Sequence, residues 1–400
     1  MTELRAVTTP LVDDVDLNDV AGDDGYLFVR DGVGVAGRGV AARIGADAVA
    51  VLAAIDHDDR AGLAGCGPVA IGTLPYRPGG EPSLVVPSLI VGRDTEGHRW
   101  RTDVFAADAA PAFDAVPRTA PPPPAAGSFT VAPITPTPVY LAAVASARDA
   151  VRDGRLVKAV IAREVGITSE APISVRGVLA RLRAGFGSSY RYSVDGLVGA
   201  SPELLIEVRG DMVRSHPLAG TAPRTGDPNA DARIAAGLIG SMKDQVEHRV
   251  VIDVVHDTLL PYCSYLDWEP EPTIVAVANV QHLGTAIEGR LSQPAPDALE
   301  LARLLAPTPA LGGHPRADAL ALIDEVEGFE RGRYGGAVGW VDSSGSGCWA
   351  VTIRCAELSA DRRHARLVAG GGIVADSQPE AELAETQAKL QAMLGAIIRP

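Results

Sequence analysis

Leu156-Val157-Lys158-Ala159-Val160-Ile161-Ala162 is apolar at every position except Lys158. A run of this length without polar alternation predicts a β-strand covered on both faces, and it carries Lys158 into a mostly buried setting. Upstream, Thr137-Pro138 supplies an N-cap and a proline at the first helical position, and Tyr140, Val144, Ala147 and Val151 recur at helical spacing until Gly154. Downstream, strands are predicted at 190–194, 204–208, 337–341, 349–354 and 365–369, and helices at 230–239, 242–260, 297–305, 317–325 and 379–396. Between Tyr26 and about Asp103, short β-like runs such as Tyr26-Leu27-Phe28-Val29 and Leu84-Val85-Val86 are separated by Gly and Pro, with one helical stretch near 46–56. Hairpin-like strand groups mixed with helices, without strict βαβ alternation, favour an α+β fold over a doubly wound sheet.

The chain has 400 residues, 46% of them hydrophobic, so it can bury a large interior as one domain or two intimate ones. A net charge of -14 with no Lys/Arg run argues against a nucleic-acid-binding surface, while leaving room for a small anionic substrate in a local site. Cys66, Cys263, Cys348 and Cys355 show no CxxC spacing, so reduced structural thiols are expected. Met1 to Val20 has no basic segment followed by an apolar core, and no apolar run is long enough to span a bilayer; the expectation is a soluble, cytoplasmic protein without membrane partners. Four consecutive prolines inside 120–126 predict an extended connector.

Two acidic helix segments lie far apart, Lys243-Asp244-Gln245-Val246-Glu247-His248 and Glu382-Leu383-Ala384-Glu385-Thr386-Gln387-Ala388-Lys389. Each sets two carboxylates at i and i+3 on one helical face. If the faces meet across a cavity, the four carboxylates form a site for a hard cation. Taken alone, such a pair is more often a solvated face, with Asp244 completing a capping box begun by Ser241 and Lys389 as an ordinary partner of Glu385. Leu218-Ala219-Gly220-Thr221 and the glycine run at 370–372 leave backbone N–H groups open to an anion, although tight turns explain most such runs. Neither matches a GxGxxG or P-loop pattern.

Long motifs in order connect these segments: Gly199-Ala200-Ser201-Pro202-Glu203, Pro217-Leu218-Ala219-Gly220-Thr221, Ser241 to His248, Gln281-His282-Leu283, Pro307-Thr308-Pro309-Ala310-Leu311-Gly312-Gly313, Tyr334-Gly335-Gly336 to Trp340, Val351-Thr352-Ile353-Arg354-Cys355-Ala356, and Ala369 to Lys389. Together they resemble the chorismate-utilising enzymes, specifically isochorismate synthases of menaquinone and catechol-siderophore pathways. The resemblance runs from about Lys158 to the C-terminus. It implies an α+β unit of large, mostly antiparallel sheets packed with helices around a buried active site. Residues 1–138 would be its β-rich first part, with the proline-rich connector near 118–138, and 139–400 the chorismate-binding region, the two forming one integrated domain.

The activity implied is the reversible isomerisation of chorismate, in which water attacks C2 and the C4 hydroxyl departs. By this resemblance Lys158 is the general base, which near neutral pH requires its pKa to fall from about 10.4. Glu203 is the general acid, kept protonated by an apolar pocket. Mg2+ is the implied cofactor, with Glu247 and Glu385 as direct ligands and Asp244 and Glu382 as outer partners. Arg354, Tyr334 and the Gly370-Gly371 backbone would take the pyruvyl carboxylate, His282, Gly220 and Thr221 would stand near the ring and its hydroxyls, and Lys389 would balance the acidic cluster. Ala310 stands where salicylate synthases tend to carry threonine, favouring plain isomerisation over that rival. Lys158 disfavours the aminating relatives, which usually carry glutamine there. The resemblance also implies a monomer with no obligatory glutaminase subunit. Cys348, where many relatives have glutamate, and Gly371, where alanine is common, depart from the family pattern.

Overall fold

The computed structural model describes residues 3–399 apart from 64, 118–126 and 278, so the prolines of the expected connector lie outside the described residues. Two large sheets, of thirteen and nine strands, and a small three-stranded sheet make up the β structure. Among the described pairings, only Leu4–Pro10 with Asp56–Asp59 is parallel. The fold is α+β, as the mixed order of strands and helices predicts.

The Lys158–Ser169 strand is buried along most of its length. Ala159 and Ile161 pack under the Thr137–Arg152 and Arg316–Glu327 helices, whereas Ala162 joins the core between the two large sheets. It continues seven residues beyond the apolar run because two charged residues are accommodated inside. Arg163 donates from Nε to Thr386 Oγ1 at 2.8 Å, and Glu164 accepts from Arg366 Nε at 2.5 Å. Its main partner is His364–Ile373, in an unbroken antiparallel register from Ala159 opposite Ile373 to Thr168 opposite His364. The helix before it begins at Thr137, one residue earlier than expected: the cap position is Pro136 instead of Thr137, and no side chain caps it.

Both large sheets mix early and late parts of the chain. Tyr26–Arg30 pairs with Tyr190–Val194 in the first, and Val69–Leu74 with Ala337–Asp342 in the second. Their inner faces bury Phe28, Val35, Ile71, Val85, Ile206 and Trp349 in one core. At about 25 cal/mol per Å2 of apolar surface, side chains of this size each contribute roughly 1.5–3 kcal/mol. Helices Val175–Phe186 and Pro379–Ile398 cover the first sheet from its other side, through Val178, Leu182, Met393 and Ile397.

Two crossings between the sheets position the site. The chain leaves the first sheet after Leu197–Ser201 and enters the second at Leu204–Arg209; it returns after Gly347–Val351 to Cys355–Leu358. The crossings are bonded together: Ala200 N–H donates to Arg354 O and Val351 N–H to Glu203 O, both at 3.1 Å. Arg354 turns the chain with φ of 52°, a left-handed conformation uncommon outside glycine. That turn ends the second-sheet strand at Val351, short of the expected 354. No helix among the described residues is long and apolar enough to cross a membrane.

Candidate active site

A cavity of about 270 Å3 opens where the crossings, the start of the Lys158–Ser169 strand and two helices converge. Its wall includes Lys158, Glu203, Gly220, Thr221, Asp244, Glu247, His282, Ala310, Tyr334, Arg354, Gly370, Glu382, Glu385 and Lys389. Every sequence-predicted site residue is therefore on the wall except Gly371.

Glu203 occupies the first crossing and is only 2% exposed. Burial pushes its carboxyl up to about 7, against the lowering pull of the Leu218 N–H and of Lys158, Lys389 and Arg354. The Leu218 N–H donates to Glu203 Oε1 at 3.4 Å. A carboxylic acid in this state can donate a proton near neutral pH.

Arg354, at the second crossing, donates to His282 Nε2 at 3.3 Å. On the other side of the ring, Nδ1 lies 3.3 Å from Gly220 O and 3.0 Å from Thr221 Oγ1. A guanidinium can only donate and a carbonyl can only accept, so the hydrogen sits on Nδ1 and the ring is neutral. Burial first, then Arg354 and Lys389, hold the His282 pKa well below its ordinary value, which agrees with that tautomer. Tyr334 is buried and its phenol pKa is raised, chiefly by burial, so it keeps its proton. This corner presents a fixed guanidinium and a phenol, which suits a carboxylate.

The acidic residues come from two helices. Ser241 Oγ accepts the Asp244 N–H at 3.3 Å and starts the Met242–Leu259 helix, half of the predicted capping box. His248, next to Glu247, anchors that helix through Nε2 and Thr285 Oγ1 at 2.8 Å; burial, with Lys158 and His216 nearby, brings its pKa down to about 4. The Pro379–Ile398 helix is held by Arg163 and by Asn279 Nδ2, which donates to Ala388 O at 2.5 Å. Lys158 Nζ is 2.6 Å from Glu247 Oε1, and Lys389 Nζ is 2.6 Å from Glu385 Oε1. Burial of Lys158 is as expected, but its immediate neighbour is a carboxylate.

The strand expected at 365–369 runs on through the glycines. Residues 370–372 lie within the His364–Ile373 strand as extended backbone and not as a turn. Their value is space. A Cβ on Gly372 would stand 2.5 Å from Glu247 Oε1 and 2.6 Å from Lys158 Cε, and one on Gly371 would stand 2.9 Å from Glu382 Oε2. Gly220 has φ of 71° at an irregularity in its ladder, and a Cβ there would meet Asp244 at 3.3 Å. The glycines admit the carboxylates to the sheet surface.

The donors suit a hard divalent cation, since all four are carboxylates and the glycines leave them room. Among the described residues, however, no group of three or more His, Cys, Asp or Glu is gathered tightly enough to hold an ion as it stands. Sequence reasoning missed the apolar lining: Leu218, Leu311, Ile353, Val368, Leu390 and Met393. Most sit within or beside the motifs, which was the available signal. Cys348 is not on this wall, so its departure from the family pattern leaves the cavity unchanged.

Residues 94–398 match the family model described as chorismate binding enzyme. This chain belongs to that family. The match takes in the entire cavity wall, which begins at Lys158. MenF of Mycobacterium tuberculosis (strain H37Rv) is 47% identical over 281 residues, covering 67% of this chain and 75% of its own. Isochorismate synthase DhbC of Bacillus subtilis is 41% identical over 281 residues, covering 68% of this chain and 70% of its own. The solved structure of the menaquinone-specific isochorismate synthase MenF from Escherichia coli has the same fold, with a TM-score of 0.85 at 23% identity over 99% of this chain and 95% of that one.

Proposed function

We propose that the protein is an isochorismate synthase, an isomerase that converts chorismate reversibly to isochorismate. The observation that carries this reading is the pairing, in one cavity, of a lysine and a glutamic acid with a value near 7, beside carboxylates from two helices. Lys158 takes a proton from the attacking water as its oxygen bonds to C2. Glu203 gives a proton to the C4 hydroxyl, which leaves as water while the ring double bonds shift. Water enters and water departs, so substrate and product are isomers and the free-energy change is small.

Arg354 and Tyr334 bind the pyruvyl carboxylate, and neutral His282 fixes the guanidinium through its Nε2 lone pair. Thr221 and Gly220 face the ring hydroxyls. Mg2+ would be held by Glu247 and Glu385, with Asp244 and Glu382 further out. When bound, it offsets the charge of the ring carboxylate and steadies the ring. The strands shared by early and late chain support reading residues 1–138 and 139–400 as one integrated unit. In this reading the unit acts as a monomer in the cytoplasm and needs no glutaminase subunit.

The test is to incubate the purified protein with chorismate and Mg2+ and separate the products by chromatography. Isochorismate formed to an equilibrium mixture, lost on adding EDTA and restored by Mg2+, is the expected result. Salicylate with pyruvate would convert the reading to a salicylate synthase, and absence of turnover would overturn it.

A further inference from the structure

The two carboxylates assigned to the cation are already engaged by ammonium groups. Lys158 reaches Glu247 from the sheet, with 2% and 11% of the two side chains exposed. Lys389 reaches Glu385 from one turn along the same helix, with 15% and 30% exposed, and also donates to Gly370 O at 2.9 Å. A carboxylate taken out of water needs a positive partner, and removing one member of such a pair leaves an uncompensated charge. The described residues form no ready ligand group for an ion. The lysines stand where a cation's charge is required, on the oxygens it would use.

We infer that Lys158 and Lys389 are displaceable counter-ions, which hold Glu247 and Glu385 in the substrate-free protein and compete with the divalent cation for them. This rests on those glutamates being the cation ligands. The cation then binds weakly to the substrate-free protein. Loading the site releases both ammonium groups from these glutamates, and the carboxylates of the substrate offer them new partners.

The experiment measures binding and not turnover. Mn2+ is titrated by electron paramagnetic resonance into substrate-free wild type, Lys389→Met, Lys158→Met and Arg249→Met, the last an exposed arginine on the same helix as Glu247. Either lysine variant should bind Mn2+ at least about tenfold tighter than wild type, and Arg249→Met within about twofold. Melting with added Mn2+ should rise more in the lysine variants than in wild type. Should Lys158→Met fail to fold, Lys389→Met, at a more open position, carries the test alone. Equal Mn2+ affinity in wild type and Lys389→Met would overturn the counter-ion role and leave the ligand assignment standing. No Mn2+ binding by any of the proteins would overturn both.

Discussion

Lys158 and Glu203 are each 2% exposed, one at the start of a strand and the other at a crossing between sheets. Glu247, Glu385 and Lys389 line the same cavity from two helices and keep 11%, 30% and 15% of their side chains open. The contrast fits the roles proposed for the two sets. Groups that move protons gain from a fixed, water-poor position, because burial sets the value of Glu203 and a small misplacement lowers rate. Groups that exchange a cation with solvent need access and freedom to change partners. The sheets and their crossings supply the first, and the more exposed helix faces supply the second.

The largest effect should come from the strand side. Lys158→Ala and Glu203→Gln should each lower turnover by roughly 10³-fold, with unchanged circular dichroism. Retained activity in either would break the division. Next come the helices: Glu247→Gln and Glu385→Gln should each raise the Mg2+ concentration for half-maximal rate by about 10–100-fold, more for the deeper Glu247. A loss of turnover that saturating Mg2+ leaves uncorrected would place Glu247 with the proton-transfer groups instead.

Acidity sharpens the contrast further. Because Glu203 must be protonated, turnover should fall as pH rises through about 7. Its folded value lies above its unfolded one, so the stability it contributes is complete below about 4.5 and is lost as pH rises through about 7. Across that window wild type should lose about 3 kcal/mol relative to Glu203→Gln, read by denaturant unfolding at several pH values. The smallest effect belongs outside both walls. Cys348→Ser should change kinetic constants by less than about twofold and cost about 1 kcal/mol of stability.

Much of this arrangement was legible because it is local. Helical spacing marks the Met242–Leu259 and Pro379–Ile398 helices and puts Asp244 with Glu247, and Glu382 with Glu385, on shared faces. The apolar run around Lys158 predicts a doubly covered strand, but its continuation through Arg163 and Glu164 depends on Thr386 and Arg366, more than two hundred residues away. The crossings at Glu203 and Arg354 likewise depend on which sheet each neighbouring strand joins, which no local pattern states. The glycine run looks like a turn in one dimension. Only its neighbours show that it is a strand thinned to admit carboxylates.

The register that joins Ala159 to Ile373 and Thr168 to His364 has a consequence for how the molecule is made. A growing chain emerges from the ribosome with Lys158 long before its strand partner exists, and Glu385 follows later still. Closing a loop of some two hundred residues is slow compared with forming a hairpin. Until it closes, the edge of the Lys158–Ser169 strand is open to other chains. Synthesis must reach the last helix before any of these molecules can bind substrate, so a stalled or shortened product would be both inactive and prone to aggregate.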